Sequence, residues 1–92
     1  MKTKRKRKTR QLQLIERPYV TLDGDRALGV YWGKKRMIEI DGTQRPQEFA
    51  ETLVHECLHH FFPEASENLV EKASVKIVKF LWEKNYRRLV PD

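Results

Sequence analysis

The 92-residue sequence contains 19 basic and 13 acidic side chains, which give it a formal net charge of +6. A chain of this length predicts one domain that buries only roughly 60–65% of its unfolded surface. The single cysteine excludes an internal disulfide, and no apolar run approaches the ~20 residues of a membrane span, so we expect a cytoplasmic protein without a membrane partner.

Residues 1–10 form a strongly basic segment. They contain seven lysine or arginine residues and no acid, whereas the remaining twelve basic and thirteen acidic residues give the rest of the chain a formal charge of −1. Because like charges repel and bury no apolar surface, we expect 1–10 to be a disordered tail and 11–92 to form the domain. The tail is interpreted either as a solubilising segment or as one that binds nucleic acid through phosphate groups.

The next part of the chain, up to Asp41, has the patterns of β-strands. Four short segments alternate apolar with polar residues or are rich in β-branched and aromatic residues, namely 11–15, 19–22, 27–32 and 37–41. The dipeptide Asp23-Gly24 favours a hairpin turn, and Gly33 indicates another. We therefore expect a small antiparallel sheet of about three strands.

A first helix is predicted from Pro46 to Phe62. Proline suits the first turn of a helix, and Pro63 ends this one. At 100° per residue, the apolar side chains that share one side are Phe49, Ala50, Leu53, Val54, Cys57 and Phe61. The polar side chains on the opposite side are Glu48, Thr52, His55 and His59. This pattern predicts a helix that packs its apolar side on the sheet.

A second helix is predicted from Glu67 to about Tyr86. Ser66 is a suitable N-cap, and Glu67 lies in the first turn, where the helix dipole favours an acid. The predicted apolar stripe comprises Leu69, Val70, Ala73, Ile77, Phe80 and Leu81. Together with the sheet, the two helices predict an α+β domain in which three strands pack on two helices.

The segment from His55 to His59 has the residues of a zinc site. Two histidines four positions apart on a helix project from one side, about 6 Å apart, which suits two ligands of one tetrahedral zinc. Glu56, beside the first histidine, is suited to take a proton from a zinc-activated water and pass it to a leaving amine. Cys57 points toward the apolar side and is interpreted as a small buried hydrophobe.

A catalytic zinc usually takes three protein ligands, and the residues leave the third open. His60 points about 100° away from His59 on the same helix, which removes it as a ligand. Glu64 follows Pro63 and remains an alternative. Glu67 and Glu71 share one face of the second helix, so one of them can reach the metal while the other accepts the far N–H of a histidine.

These residues resemble a known group of enzymes. Leu53 to His60, followed by Phe62 to Glu71, resembles the HExxH core of gluzincins, in which a second helix carries an ExxxD-like pair. The chain is similar to small phage and bacterial zincin-like proteins related to the SprT-like and ImmA/IrrE-like groups. The resemblance covers roughly residues 19–88 and omits the basic tail.

The resemblance implies a zinc metallopeptidase in which His55, His59 and Glu67 bind zinc and Glu56 is the general base. Glu71 would take the place of the aspartate in the ExxxD pair and would orient a ligand histidine by accepting its far N–H. The short gap between His59 and Glu67 implies a tight reversal of the chain. The resemblance further implies that 37–41 is an edge strand along which a peptide substrate pairs.

Two other functions compete with peptide hydrolysis. The basic tail would suit a module associated with DNA, in which the domain is tethered to nucleic acid. The zinc could also be structural, in a small virion component or mini-domain without turnover, because a metal can supply stability that a modest core lacks.

Overall fold

A computed structural model describes residues 11–88, so the predicted disordered tail at 1–10 lies outside the described residues. This part of the chain forms five strands and two helices. The strands are β1 (Gln13–Arg17), β2 (Val20–Leu22), β3 (Asp25–Ala27), β4 (Gly29–Trp32) and β5 (Met37–Asp41). The helices are α1 (Pro46–Phe61) and α2 (Glu67–Glu83). The predicted α+β class is confirmed.

The main sheet has three strands in the order β1-β5-β4. β4 pairs with β5 antiparallel, whereas β1 pairs with β5 in parallel. The sheet is therefore mixed, and the expectation of a purely antiparallel sheet is wrong. The expectation that 37–41 is an edge strand is also wrong, because β5 is the central strand. Its side chains Ile38 and Ile40 are almost fully buried, which suits a strand paired on both edges.

β2 and β3 form a separate hairpin, which lies between β1 and β4 in the chain. Its turn is the predicted dipeptide, with Asp23 at φ 53° and Gly24 at φ 86°. Two residues with positive φ make the turn that matches the twist of a two-residue hairpin. β3 was not predicted as a separate strand, since Ala27 continues without a turn signal into the residues of β4. A charged hydrogen bond of 2.9 Å from Arg26 to the buried Asp41 ties this hairpin to the end of β5.

The core lies between the sheet and α1. Ile38, Ile40 and Phe49 form its buried centre. Partly buried side chains packed around that centre are Leu12, Tyr31, Leu53 and Cys57. The apolar side of α1 is thus turned to the sheet as predicted, except that Phe61, in the last turn, is exposed. On the polar side of α1, His55 and His59 contact α2, whereas Thr52 lies against Gly29 of β4.

α2 packs mainly against α1. Ser66 caps it as predicted, since its hydroxyl accepts a 3.1 Å hydrogen bond from the backbone N–H of Leu69. The buried side chains of α2 are Val70, Ser74 and Val78. The predicted stripe is therefore wrong in part, because Leu69 and Phe80 are each 58% exposed. The apolar residues of α2 cover a wider arc of the helix surface than α1 can contact. The small side chains of Val70, Ser74 and Val78 form the row that allows the two helices to approach closely.

No helix between residues 11 and 88 has the length and apolarity to cross a membrane. The cytoplasmic location stays a prediction.

Candidate metal centre

Two histidines of α1 form one side of the centre. His55 and His59 lie one turn apart and point toward α2, with their Nε2 atoms 3.2 Å from each other. Both rings are half-buried, because the start of α2 covers them. Phe49, Leu53 and Cys57 of α1 pack on the core beneath the sheet, and the two polar rings fall in the seam between the helices. The sequence spacing predicted this shared orientation.

Glu67, the first residue of α2, completes a group of three. One carboxylate oxygen lies 3.0 Å from Nε2 of His55, and the other lies 2.9 Å from Nε2 of His59. Among the described histidine, cysteine and acidic residues, these three form the group whose atoms lie close enough to hold one metal ion, within 4.8 Å of one another. Ser66, the N-cap of α2, immediately precedes Glu67. The cap fixes the start of the helix and therefore the direction in which the Glu67 side chain projects.

Glu71 lies behind His55, one turn further along α2. Its carboxylate oxygen is 3.2 Å from Nδ1 of His55, the ring nitrogen that faces away from the group. A carboxylate in this position accepts the Nδ1–H and leaves Nε2 with a free lone pair. The arrangement is the one in which a histidine is held ready to bind a metal.

The contacts of His55 are consistent with a cation in this group. A neutral imidazole has one N–H, so if Nδ1–H is donated to Glu71, Nε2 presents a lone pair. That lone pair faces a carboxylate oxygen of Glu67 at 3.0 Å. Two lone pairs at this distance repel unless a proton or a metal ion lies between them. A metal shared by both Nε2 atoms and Glu67 would satisfy all of these groups.

The spacing of the three donors suits zinc. Four ligands about 2.0–2.1 Å from a tetrahedral zinc lie about 3.3 Å from one another. The two Nε2 atoms are 3.2 Å apart, and each lies 2.9 to 3.0 Å from a different oxygen of Glu67, so these separations are close to that edge length. Two imidazoles and one carboxylate are also a donor set that zinc accepts in catalytic sites. The residues present therefore fit this metal.

Glu56 lies next to this group and lines a cavity of about 520 Å³ together with His55. Burial raises the pKa of the Glu56 carboxyl, and the imidazoles of His55 and His59 partly oppose the shift. β4 passes close to it, since a Cβ on Gly29 would lie 3.5 Å from Cγ of Glu56 and 2.6 Å from Cγ2 of Thr52. A side chain at position 29 would thus push the strand away from the helix.

The other candidates lie elsewhere. His60 points toward the sheet, where its Nδ1 is 2.6 Å from the Tyr31 hydroxyl and the two rings meet edge to face. Cys57 packs against the core cluster, and burial raises the pKa of its thiol. Glu64 is exposed in the turn between the helices and does not join the group. The chain reverses there within five residues, as the short gap requires.

Sequence reasoning missed the wall of the cavity. Thr52 donates a 2.9 Å hydrogen bond to the side chain of Gln44, whose amide donates in turn to the backbone oxygens of Asp41 and Leu28. This network joins α1 to the strands beside Glu56. One signal was available: a glycine inside an apolar strand, Gly29, often marks a close backbone approach.

Comparisons with models of protein families, with curated proteins and with solved structures gave no match.

Proposed function

We propose that this protein is a zinc-dependent metallopeptidase, with His55, His59 and Glu67 as the metal ligands. The observation that carries the proposal is the convergence of three residues from two helices: the two Nε2 atoms lie 3.2 Å apart, and each lies within 3.0 Å of one of the two carboxylate oxygens of Glu67. When bound, zinc supplies Lewis acidity that polarises a carbonyl and lowers the pKa of water to about 7.

The chain's own residues then divide the remaining tasks. Glu56, beside His55 but outside the ligand group, takes a proton from water and delivers it to the leaving amine. In the metal-free chain, burial raises the pKa of this carboxyl, which makes it a stronger base than an exposed glutamate. Glu71 holds the ring of His55 in one orientation through Nδ1.

The openness of the site supports turnover over a structural role. Structural zinc sites are closed by four protein ligands, whereas catalytic sites keep a position for water or substrate. Here three protein ligands lie beside a cavity that reaches the surface, and the carboxylate of Glu67 is 70% exposed.

The sheet offers a place for an extended peptide. β4 is a terminal strand of the three-stranded sheet, and its first residue, Gly29, lines the cavity beside Glu56. A peptide that adds to this edge would bring its backbone to the metal group. The edge strand suited to a substrate is therefore β4, in place of the 37–41 strand that the resemblance implied.

The proposal is tested by metal content and turnover of the purified full chain. Wild type should retain one zinc per chain, and His59→Ala and Glu67→Ala should each lose it. Glu56→Gln should keep zinc and lower the hydrolysis of an unstructured protein substrate by about 10²–10⁴-fold. Glu64→Gln is the matched control, which should change neither property.

Two results would contradict the proposal. Full zinc retention in Glu67→Ala would remove the third ligand. Stoichiometric zinc in wild type without cleavage of any peptide in a diverse library would favour the structural mini-domain, associated with DNA or with a virion.

A further inference from the structure

The cavity beside the metal group has an unusual charge. Its lining contains four carboxylates, Glu48, Glu51, Glu56 and Glu71, and no lysine or arginine. The carboxylate of Glu71 contacts His55, whereas the described residues show no ion pair to Glu48, Glu51 or Glu56. The cavity therefore gathers negative charge, which attracts a cation.

The carboxylates are arranged along one helix. Positions 48, 51 and 55 follow each other at intervals of three and four residues, so they lie on one face of α1. At 1.5 Å per residue, Glu51 is about 6 Å and Glu48 about 10 Å from His55 along the helix axis. The acidic row thus leads away from the metal group at the distances a long side chain can span.

The rest of the lining is apolar or small. Leu28 and Val75 add apolar surface to the lining, and Gly29 and the buried Ser74 are small. The lining thus combines apolar and acidic side chains. A lysine or arginine side chain complements both, with an apolar stem and a charged end.

Helix stability accounts for one of these acids only. Glu48 lies in the first turn of α1, where the dipole favours a carboxylate. Glu51 lies beyond that turn, is half-buried and has no cationic partner among residues 11–88. A half-buried carboxylate without a partner loses hydration for no gain in the free protein.

We propose that this cavity is a specificity pocket that binds the lysine or arginine side chain of a substrate next to the scissile bond. Glu51 and Glu48 hold the charged end, and Leu28 and Val75 contact the stem. The inference rests on the proposed peptidase function for its role in cleavage, while the binding itself does not depend on turnover.

Binding is measured first, with two short blocked alanine peptides that differ only in a central arginine or citrulline. Citrulline has nearly the shape of arginine without its charge. The zinc-loaded Glu56→Gln protein is titrated with each peptide, and the amide signals of Leu28, Gly29 and Thr52 are followed by NMR. We expect the arginine peptide to bind about tenfold more tightly, with a preference that weakens as salt increases.

Variants then locate the charge. Glu48→Gln/Glu51→Gln should reduce the preference for arginine to less than about twofold, because the carboxylates that face the charged end are gone. Glu83→Gln removes an equal charge from the far end of α2, outside the cavity, and should preserve the preference. Circular dichroism and zinc content establish that the variants are folded. Equal binding of both peptides to the parent protein overturns the inference.

Cleavage is measured separately with wild type and a peptide library read by mass spectrometry. Cuts next to lysine or arginine, lost in Glu48→Gln/Glu51→Gln, support both proposals. Arginine-selective binding without any cleavage supports the pocket and contradicts the peptidase. Cleavage without preference for basic residues supports the peptidase and contradicts the pocket.

Discussion

His55 is the residue on which the candidate centre depends most. It contacts acidic groups through both ring nitrogens, Glu67 through Nε2 and Glu71 through Nδ1. Two carboxylates from one helix turn therefore hold a single imidazole of the other helix. A ring held from both sides loses little conformational entropy when a metal binds, which favours high affinity.

At this scale the role of Glu71 is directly testable. Glu71→Ala removes the acceptor of the Nδ1–H and should weaken zinc affinity by about 10–100-fold. Glu71→Gln keeps an acceptor oxygen without charge and should fall between that variant and wild type. A competition titration with a coloured chelator measures all three.

Lys72→Ala, a change at the neighbouring exposed position of α2, is the control and should leave zinc affinity unchanged. An unaltered affinity in Glu71→Ala would show that Nδ1 needs no partner. Glu71 would then lie near His55 without orienting it.

The helices illustrate what the sequence can predict at the scale of elements. The 3.6-residue period placed α1 to within one residue, and the N-cap of α2 was read from Ser66. The residues left the third member of the group open between Glu64, Glu67 and Glu71, and the resemblance to gluzincins implied Glu67, which lies beside both histidines. The sequence did not predict the rotation of α2 about its own axis, because the apolar residues of this helix cover a broad arc. The close fit of Ser74 against α1 depends on tertiary packing.

The cap of α2 links stability to the metal group. Ser66→Ala removes the hydrogen bond to the Leu69 N–H and should lower the free energy of unfolding by about 1 kcal/mol. Because Glu67 is the next residue, a frayed first turn should also weaken zinc affinity several-fold. Urea unfolding and the chelator titration measure the two effects.

Ser66→Asp keeps an acceptor at the cap and adds a charge that the helix dipole favours, so it should restore both properties. Equal losses in Ser66→Ala and Ser66→Asp would argue against the cap as the cause.

At the scale of the whole molecule, strand order was the least predictable feature. Alternation identified the strands, and Asp23-Gly24 identified the hairpin turn, but neither specifies which strands pair. β1 and β5 pair in parallel, although Gln13 and its partner Met37 are 24 positions apart in the chain. Nothing in Gln13 or Met37 encodes that register locally, since it follows from closing the sheet over Phe49 of α1. The site was easier to predict because its chemistry is concentrated in two adjacent helices.

Acid stability reports on how the hairpin of β2 and β3 is joined to the rest of the fold. Hydrogen bonds from Thr43 and Arg26 lower the pKa of Asp41 from its usual 3.8 to about 2. The unfolded chain therefore takes up this proton at higher pH than the folded one, so the stability contributed by Asp41 is complete above about pH 4 and is lost as the pH falls toward 2.

Asp41→Asn removes this titration. In urea unfolding of the zinc-free protein, the variant should be less stable than wild type near pH 5, and the difference should shrink steadily as the pH approaches 2. Hydrogen bonds to Glu39 from Trp32 and Arg17 lower the pKa of that carboxyl too, so wild type and variant should share its acid loss. The difference between them isolates Asp41. A stability difference that stays constant with pH would mean that the link from Arg26 to Asp41 contributes through shape alone, and the hairpin would then be held by contacts that carry no charge.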